Sequence, residues 1–223
     1  MEQLLALRQR FTGDDKHLPS ATSTMDVLWT LYDRVLRIDP AKPDADDRDR
    51  FFLSKGHGPA LFYAVLADKG FFPAEWLDDA AMVTSPLGHH PDRILVPGVE
   101  MSAGSLGHGL PLATGTALGL RLQGLTTPRV YVLLGDAELD EGSNHEAIAY
   151  AGATGLDNLV AVVVDNSSAS HGWPGGIASR FAVNGWSTAT VDGRDHDALE
   201  TALTTLLPGR PHVVVALVEP KNA

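Results

Sequence analysis

Four apolar or β-branched runs, Val130 to Leu134, Leu159 to Val164, Trp186 to Val191 and His212 to Val218, restrict the folds open to this chain more than any other feature. A strand with one wet face alternates apolar and polar residues, so runs without that alternation predict strands buried on both faces. Helical periodicity fills Glu141 to Thr154 and His196 to Leu206, and the stretch between the second and third runs reads as a loop. The order β, α, β, loop, β, α, β implies an α/β fold: a mostly parallel sheet with helices on both faces, binding ligands at the carboxyl ends of its strands.

Upstream, Met25, Leu28, Leu31, Tyr32, Val35 and Leu36 recur every three or four positions, which predicts one helix from Thr22 to Ile38, stopped by Pro40 and Pro43. Phe51 to Leu53 reads as a short strand, Ser54-Lys55-Gly56-His57-Gly58 as a turn, and Ala60 to Ala67 as a helix. With 223 residues, 44% of them apolar, and neither repeat nor linker, a single domain over 1–223 is expected. A formal charge of −11 without a basic patch argues against nucleic acid or an anionic membrane as partner. The absence of Cys removes disulfides, zinc–thiolate sites, iron–sulfur clusters and a thiol nucleophile, and suits a reducing, cytoplasmic setting. No apolar run approaches the roughly 20 residues that cross a bilayer, and the first residues do not read as a signal peptide.

The turn after the first Val/Leu strand is Gly135-Asp136-Ala137-Glu138-Leu139-Asp140-Glu141-Gly142, four carboxylates within six residues where such a fold binds its ligand. A dinucleotide fingerprint offers bare amides to a pyrophosphate, whereas these carboxylates would repel one unless a cation intervened. Mg²⁺ accepts carboxylate, amide and phosphate oxygens, so an Asp at one strand end needs an oxygen partner from a neighbouring strand end. Asn166, which follows the next buried strand roughly one βαβ unit later, is the candidate. The plainer alternative is that Asp136 or Asp140 caps the helix starting near Glu141 and that Asn166 opens a loop.

The G-D-x(4)-E-G turn and the following Asn resemble the thiamine diphosphate motif, and four more segments are similar to the amino-terminal half of the transketolase family. They are His17-Leu18-Pro19-Ser20-Ala21-Thr22-Ser23 with Met25 to Leu28, Phe52-Leu53-Ser54-Lys55-Gly56-His57, His90-Pro91 with Pro97-Gly98-Val99-Glu100, and Gly104-Ser105-Leu106-Gly107-His108-Gly109. Phe181 to Asp192, with Gly185-Trp186 and Asp192-Gly193, resembles a later family strand. The resemblance implies the diphosphate-binding domain of a thiamine diphosphate fold, with Mg²⁺, or Ca²⁺ in its place, held by Asp136, Asn166 and the backbone carbonyl of Ser168. It implies that His57, Gly104, Leu106 and Gly135 border the cofactor, that His17 and His57 face the diphosphate and the donor carbonyl, and that His90 meets the donor's terminal hydroxyl. Glu141 and Glu146 match family carboxylates at a subunit interface.

The implied activity is transfer of a two-carbon ketol unit from a ketose phosphate to an aldehyde or carrier-bound acceptor. The pyrimidine-binding domain of complete transketolases has no counterpart here, which implies a partner subunit supplying it in an α₂β₂ assembly. Ala137 stands where the family has a second Gly, and would be strained if it required positive φ; His108 replaces the usual Gln. The alternatives are the α subunit of a 2-oxo acid dehydrogenase, which His90 disfavours, and a non-catalytic relative. A hydrolase elbow at Ser105 lacks the strand it needs immediately upstream.

Overall fold

The computed structural model describes residues 2–11, 18–57 and 59–220. Its centre is a sheet of five strands: β1 (Arg50–Leu53), β2 (Val130–Gly135), β3 (Leu159–Asp165), β4 (Ser187–Asp192) and β5 (His212–Leu217). They lie in the order β1-β2-β3-β5-β4, and every pairing is parallel. Because strand side chains alternate between faces, β2 and β3 supply two cores. Tyr131, Leu133, Val160, Val162 and Val164 join one, and Val130, Val132, Leu134, Leu159, Ala161 and Val163 join the other.

Helices cover both faces, as the uninterrupted runs require. The first core packs against α1 (Glu2–Arg10), α3 (Met25–Thr30), α4 (Ala60–Asp68) and α8 (His196–Thr204). The second packs against α5 (Gly109–Leu122), α6 (Gly142–Thr154) and α7 (Gly176–Ala182). Among the described residues no helix is long and apolar enough to cross a membrane.

Three sequence expectations are corrected. The run from Trp186 to Val191 does not form a strand buried on both faces: β4 pairs only with β5, and its residues alternate between partly buried and exposed. An edge position removes one neighbour, and the polar Ser187, Thr188 and Thr190 suit it. The helix expected from Thr22 to Ile38 is broken. α2 (Leu18–Ser23) ends at Thr24, whose hydroxyl donates to the Ala21 carbonyl at 2.7 Å, and α3 passes into a π-helical turn over Leu31–Val35. Apolar spacing persists through both interruptions because each shifts the phase by only a fraction of a turn. The stretch read as a loop before β4 contains α7.

Register carries this fold to its site. Gly135 of β2 pairs with Val164 of β3, and the Asp136 amide donates to the Val164 carbonyl at 3.1 Å. The ends of β2 and β3 are therefore level, and Asp136 and Asn166 leave the sheet side by side.

Candidate functional site

Asp136 is 2% exposed and Asn166 3% exposed. The Asp136 carboxylate accepts from the Ser168 amide at 2.5 Å, the Ser168 hydroxyl at 2.6 Å and the Ala169 amide at 3.0 Å. Ser167 makes this possible by adopting left-handed backbone (φ 56°), which costs about 1–2 kcal/mol in a non-glycine residue and turns the next two amides inward. A carboxylate offers about four lone-pair positions, so three donors leave one for a cation. Asn166 Oδ1 is buried with no hydrogen-bond partner among the described residues. An acceptor stripped of water costs free energy unless a donor or a cation meets it.

These two side chains thus fit a hard divalent ion, and the capping alternative does not hold for α6. No side chain caps that helix, and the Asp140 carboxylate instead accepts from the Ser170 and His171 amides at 3.2 and 3.3 Å. The described residues contain no cluster of three or more His, Asp or Glu able to ligate a metal; the fit rests on amide and carboxylate oxygens. Ala137 lies in a 3₁₀ turn over Ala137–Asp140, outside the positive-φ positions, so it carries no backbone strain.

The turn after β1 meets the loop before α5. The rings of His57 and His90 stand perpendicular with centroids 5.3 Å apart, and His90 Nδ1 lies 3.1 Å from the Gly56 carbonyl. That carbonyl can only accept, so Nδ1 carries a proton and Nε2 is the ring nitrogen left to meet a ligand. Gly104, at φ +136°, tucks under His90, where an added Cβ would lie 3.2 Å from the ring. Leu106 is partly exposed on the same loop. The structure therefore brings His57, His90 and Gly104 together, and separately Gly135, Asp136, Asn166 and Ser168; His17 lies outside the described residues. Glu141 and Glu146 are exposed, and no described strand precedes Ser105 closely enough for an elbow.

Glu138 and Arg180 were not among the residues singled out from sequence. Glu138 is 1% exposed and accepts from the Ser54 hydroxyl, the Gly107 amide at 2.9 Å and the Gly135 amide at 3.4 Å. Burial pushes its carboxyl above the usual range, while those three donors and the Lys55 charge pull it back. Arg180, also buried, donates to the Leu139 carbonyl at 2.5 Å, lies 2.6 Å from His145 Nε2, and stacks over Trp173 at 5.0 Å. Together with Asp136, Asp140 and His171 it lines a cavity of about 280 Å³ at the Asp136 corner. The signal for Glu138 was its place two residues after Asp136, but nothing local distinguishes an inward carboxylate from a solvated one.

The family model described as transketolase, thiamine diphosphate binding domain, matches residues 4–215. A Rhodococcoides fascians protein named ferredoxin fas2 is 55% identical over 222 residues, covering 100% of this chain and 73% of that protein. Ferredoxin clusters are held by thiolates, and this chain has none. An apulose-4-phosphate transketolase subunit of Actinobacillus succinogenes is 36% identical over 207 residues, covering 90% of this chain and 75% of that protein. The 6-deoxy-6-sulfo-D-fructose transketolase subunit SqwG of a Clostridium species is 35% identical, covering 89% of this chain and 75% of that protein. The solved transketolase of Leishmania mexicana matches with a TM-score of 0.83 at 28% identity, over 96% of this chain and 35% of its own. The chain thus spans about a third of that enzyme. With the family match reaching from α1 into β5, the chain belongs to the transketolase family, as its thiamine diphosphate binding domain.

Proposed function

We propose that this chain is the diphosphate-binding subunit of a two-component transketolase. It would transfer a two-carbon ketol unit from a ketose phosphate to an aldehyde or carrier-bound acceptor, with thiamine diphosphate and Mg²⁺. The observation that carries the reading is the buried, unpartnered Asn166 Oδ1 beside Asp136 at adjoining strand ends. Oxygen atoms of that kind suit a dication able to screen a diphosphate among carboxylates, since charges a few ångströms apart interact by several kcal/mol at an effective dielectric near 20.

In this reading Asp136, Asn166 and the Ser168 carbonyl hold Mg²⁺, while Gly135, Gly104, Leu106 and His57 border the cofactor. When bound, the cofactor supplies an electron sink for cleaving the bond beside a carbonyl. His17 and His57 donate hydrogen bonds to the diphosphate and the donor carbonyl. His90, its Nδ1 proton committed to Gly56, meets a hydroxyl of the donor through Nε2. A ketose offers that hydroxyl and pyruvate does not. Two relatives are named for sugar substrates and as transketolase subunits, which supports a sugar donor and a partner subunit; in this proposal that partner carries the pyrimidine-binding domain and the assembly is α₂β₂. The chain acts as one domain, and its lack of Cys suits the cytoplasm.

Two experiments test this. The full chain should bind thiamine diphosphate in calorimetry only when Mg²⁺ is present. Co-expression with a neighbouring reading frame resembling the transketolase carboxyl half should yield a complex that transfers ketol units from a ketose phosphate. Metal-independent binding, or steady transfer by this chain alone, would refute the proposal.

A further inference from the structure

The three loops that carry the proposed site meet at one carboxylate. Glu138 Oε1 accepts from the Ser54 hydroxyl and from the Gly107 amide, and Oε2 accepts from the Gly135 amide. While donating to Glu138, the Ser54 oxygen accepts from the Gly109 amide at 3.0 Å, which extends the chain of bonds to the start of α5. Ser54 opens the turn bearing Gly56 and His57. Gly107 and Gly109 close the loop bearing Gly104 and Leu106, and Gly135 directly precedes Asp136.

Close packing leaves these donors no other arrangement. A Cβ on Gly109 would fall 2.2 Å from Ser54 Cβ, and one on Gly107 would fall 2.6 Å from Glu141 Cβ. Backbone therefore sits directly against the Glu138 carboxylate at Gly107. The Lys55 side chain lies along Gly135, within 3.1 Å of where a Cβ would be. Glu138 is also anchored through its own main chain, since Asn144 Nδ2 donates to its carbonyl at 2.6 Å. A carboxyl group shared by several N–H and O–H donors is held by all of them at once, and in a dry setting the geometry of such a network is strict.

We propose that Glu138 is a positioning residue: its buried carboxylate ties the Ser54–His57 turn, the Gly104–Gly109 loop and the Gly135–Asp136 corner together, so that the cofactor site is assembled before the cofactor arrives. This rests on the thiamine diphosphate reading above, but the tie can be measured without ligand. Glu138 touches neither substrate nor cofactor in this role, and acts through Gly107, Gly135 and Ser54.

Amide hydrogen exchange on the full chain separates the two levels. In Glu138→Gln, the side-chain amide nitrogen faces the Gly135 N–H, donor against donor, so one bond of the tie is lost and the clamp between the loops is broken. Exchange at Gly107 and Gly109 should accelerate about tenfold or more, the factor that corresponds to about 1.4 kcal/mol, while Val132 and Val162 in the sheet stay as slow as before. Affinity for thiamine diphosphate with Mg²⁺ should fall by a similar factor. Ser54→Ala is the second variant: it should free the Gly109 amide and leave Gly107 protected. Unchanged exchange at Gly107 and Gly109 in Glu138→Gln overturns the tie. Faster exchange with unchanged cofactor affinity overturns the positioning role. If the unaltered chain fails to bind thiamine diphosphate with Mg²⁺, the functional reading falls, and the positioning role with it, whatever the exchange rates.

Discussion

The same substitution, Gly to Ala, should have opposite effects at two places, and the structure sets both signs. Gly56 sits where the turn after β1 touches the loop before α5, and an added Cβ would lie 2.7 Å from Ala103 Cβ and 2.8 Å from the Gly104 nitrogen. Non-bonded carbons settle near 3.5–4.0 Å, so one loop must retreat by about 1 Å, and a backbone nitrogen cannot rotate aside as a side-chain tip can. Overpacking of this kind costs about 1–3 kcal/mol. For a chain of this size that lowers the melting temperature by roughly 2–12 °C. Gly115 lies inside α5 and an added Cβ there meets nothing within 4 Å. Its replacement removes the entropic penalty of a helical glycine, about 0.8–1 kcal/mol, and should raise the midpoint by roughly 2–4 °C. Thermal unfolding followed by circular dichroism on both variants is the assay. Gly56→Ala should also weaken cofactor binding, because Gly104 would be pushed off its place beneath His90. Shifts of the same sign in the two variants, or an unshifted Gly56→Ala, would show that the contact between these loops is not what holds them.

Asn166→Ala should raise the Mg²⁺ concentration needed for thiamine diphosphate binding at least tenfold and leave thermal stability nearly unchanged or improved, because the oxygen it removes is buried and unpartnered; a fall in stability without an effect on metal dependence would count against the metal corner. Asp49, 1% exposed, pairs with the Arg37 guanidinium and accepts from the Arg37 and Arg129 amides, so Asp49→Ala should cost about 2–4 kcal/mol in denaturant unfolding, chiefly through amides left without an acceptor. The His212 imidazole is buried against Ser187, and burial holds its pKa below the ordinary histidine value. The unfolded chain then binds the proton more readily, so this contribution to stability is complete above about pH 6.5 and is lost as pH falls through the lower folded-state value. The difference in melting temperature between the native chain and His212→Gln should shrink on acidification from pH 7 to pH 5, and a constant difference would contradict the assignment.

Much of the candidate site was legible because its ingredients are local. Asp136 and Asn166 each follow a strand end that composition alone marks, and Mg²⁺ chemistry asks for those residue types. The Lys55-Gly56-His57 turn and the Gly104–Gly109 loop were recognisable as segments, yet nothing in either states that His57 and His90 approach within 5.3 Å. In sequence the carboxylates after β2 read as one group facing a ligand. In the structure they divide: Asp136 meets the Ser168 loop, Asp140 meets the Ser170 and His171 amides, Glu138 turns inward and Glu141 stays exposed.

What the sequence determined by itself was the parallel α/β sheet and most of its strands and helices, since periodicity and turn chemistry belong to contiguous residues. Tertiary structure alone decided that β4 is an edge and that Ser54 donates to a carboxylate 84 positions away. It alone decided, too, that Asn166 Oδ1 is buried without a partner. Burial and hydrogen-bond partnership depend on which distant segments come to lie alongside one another, and the local pattern of a chain carries no record of that.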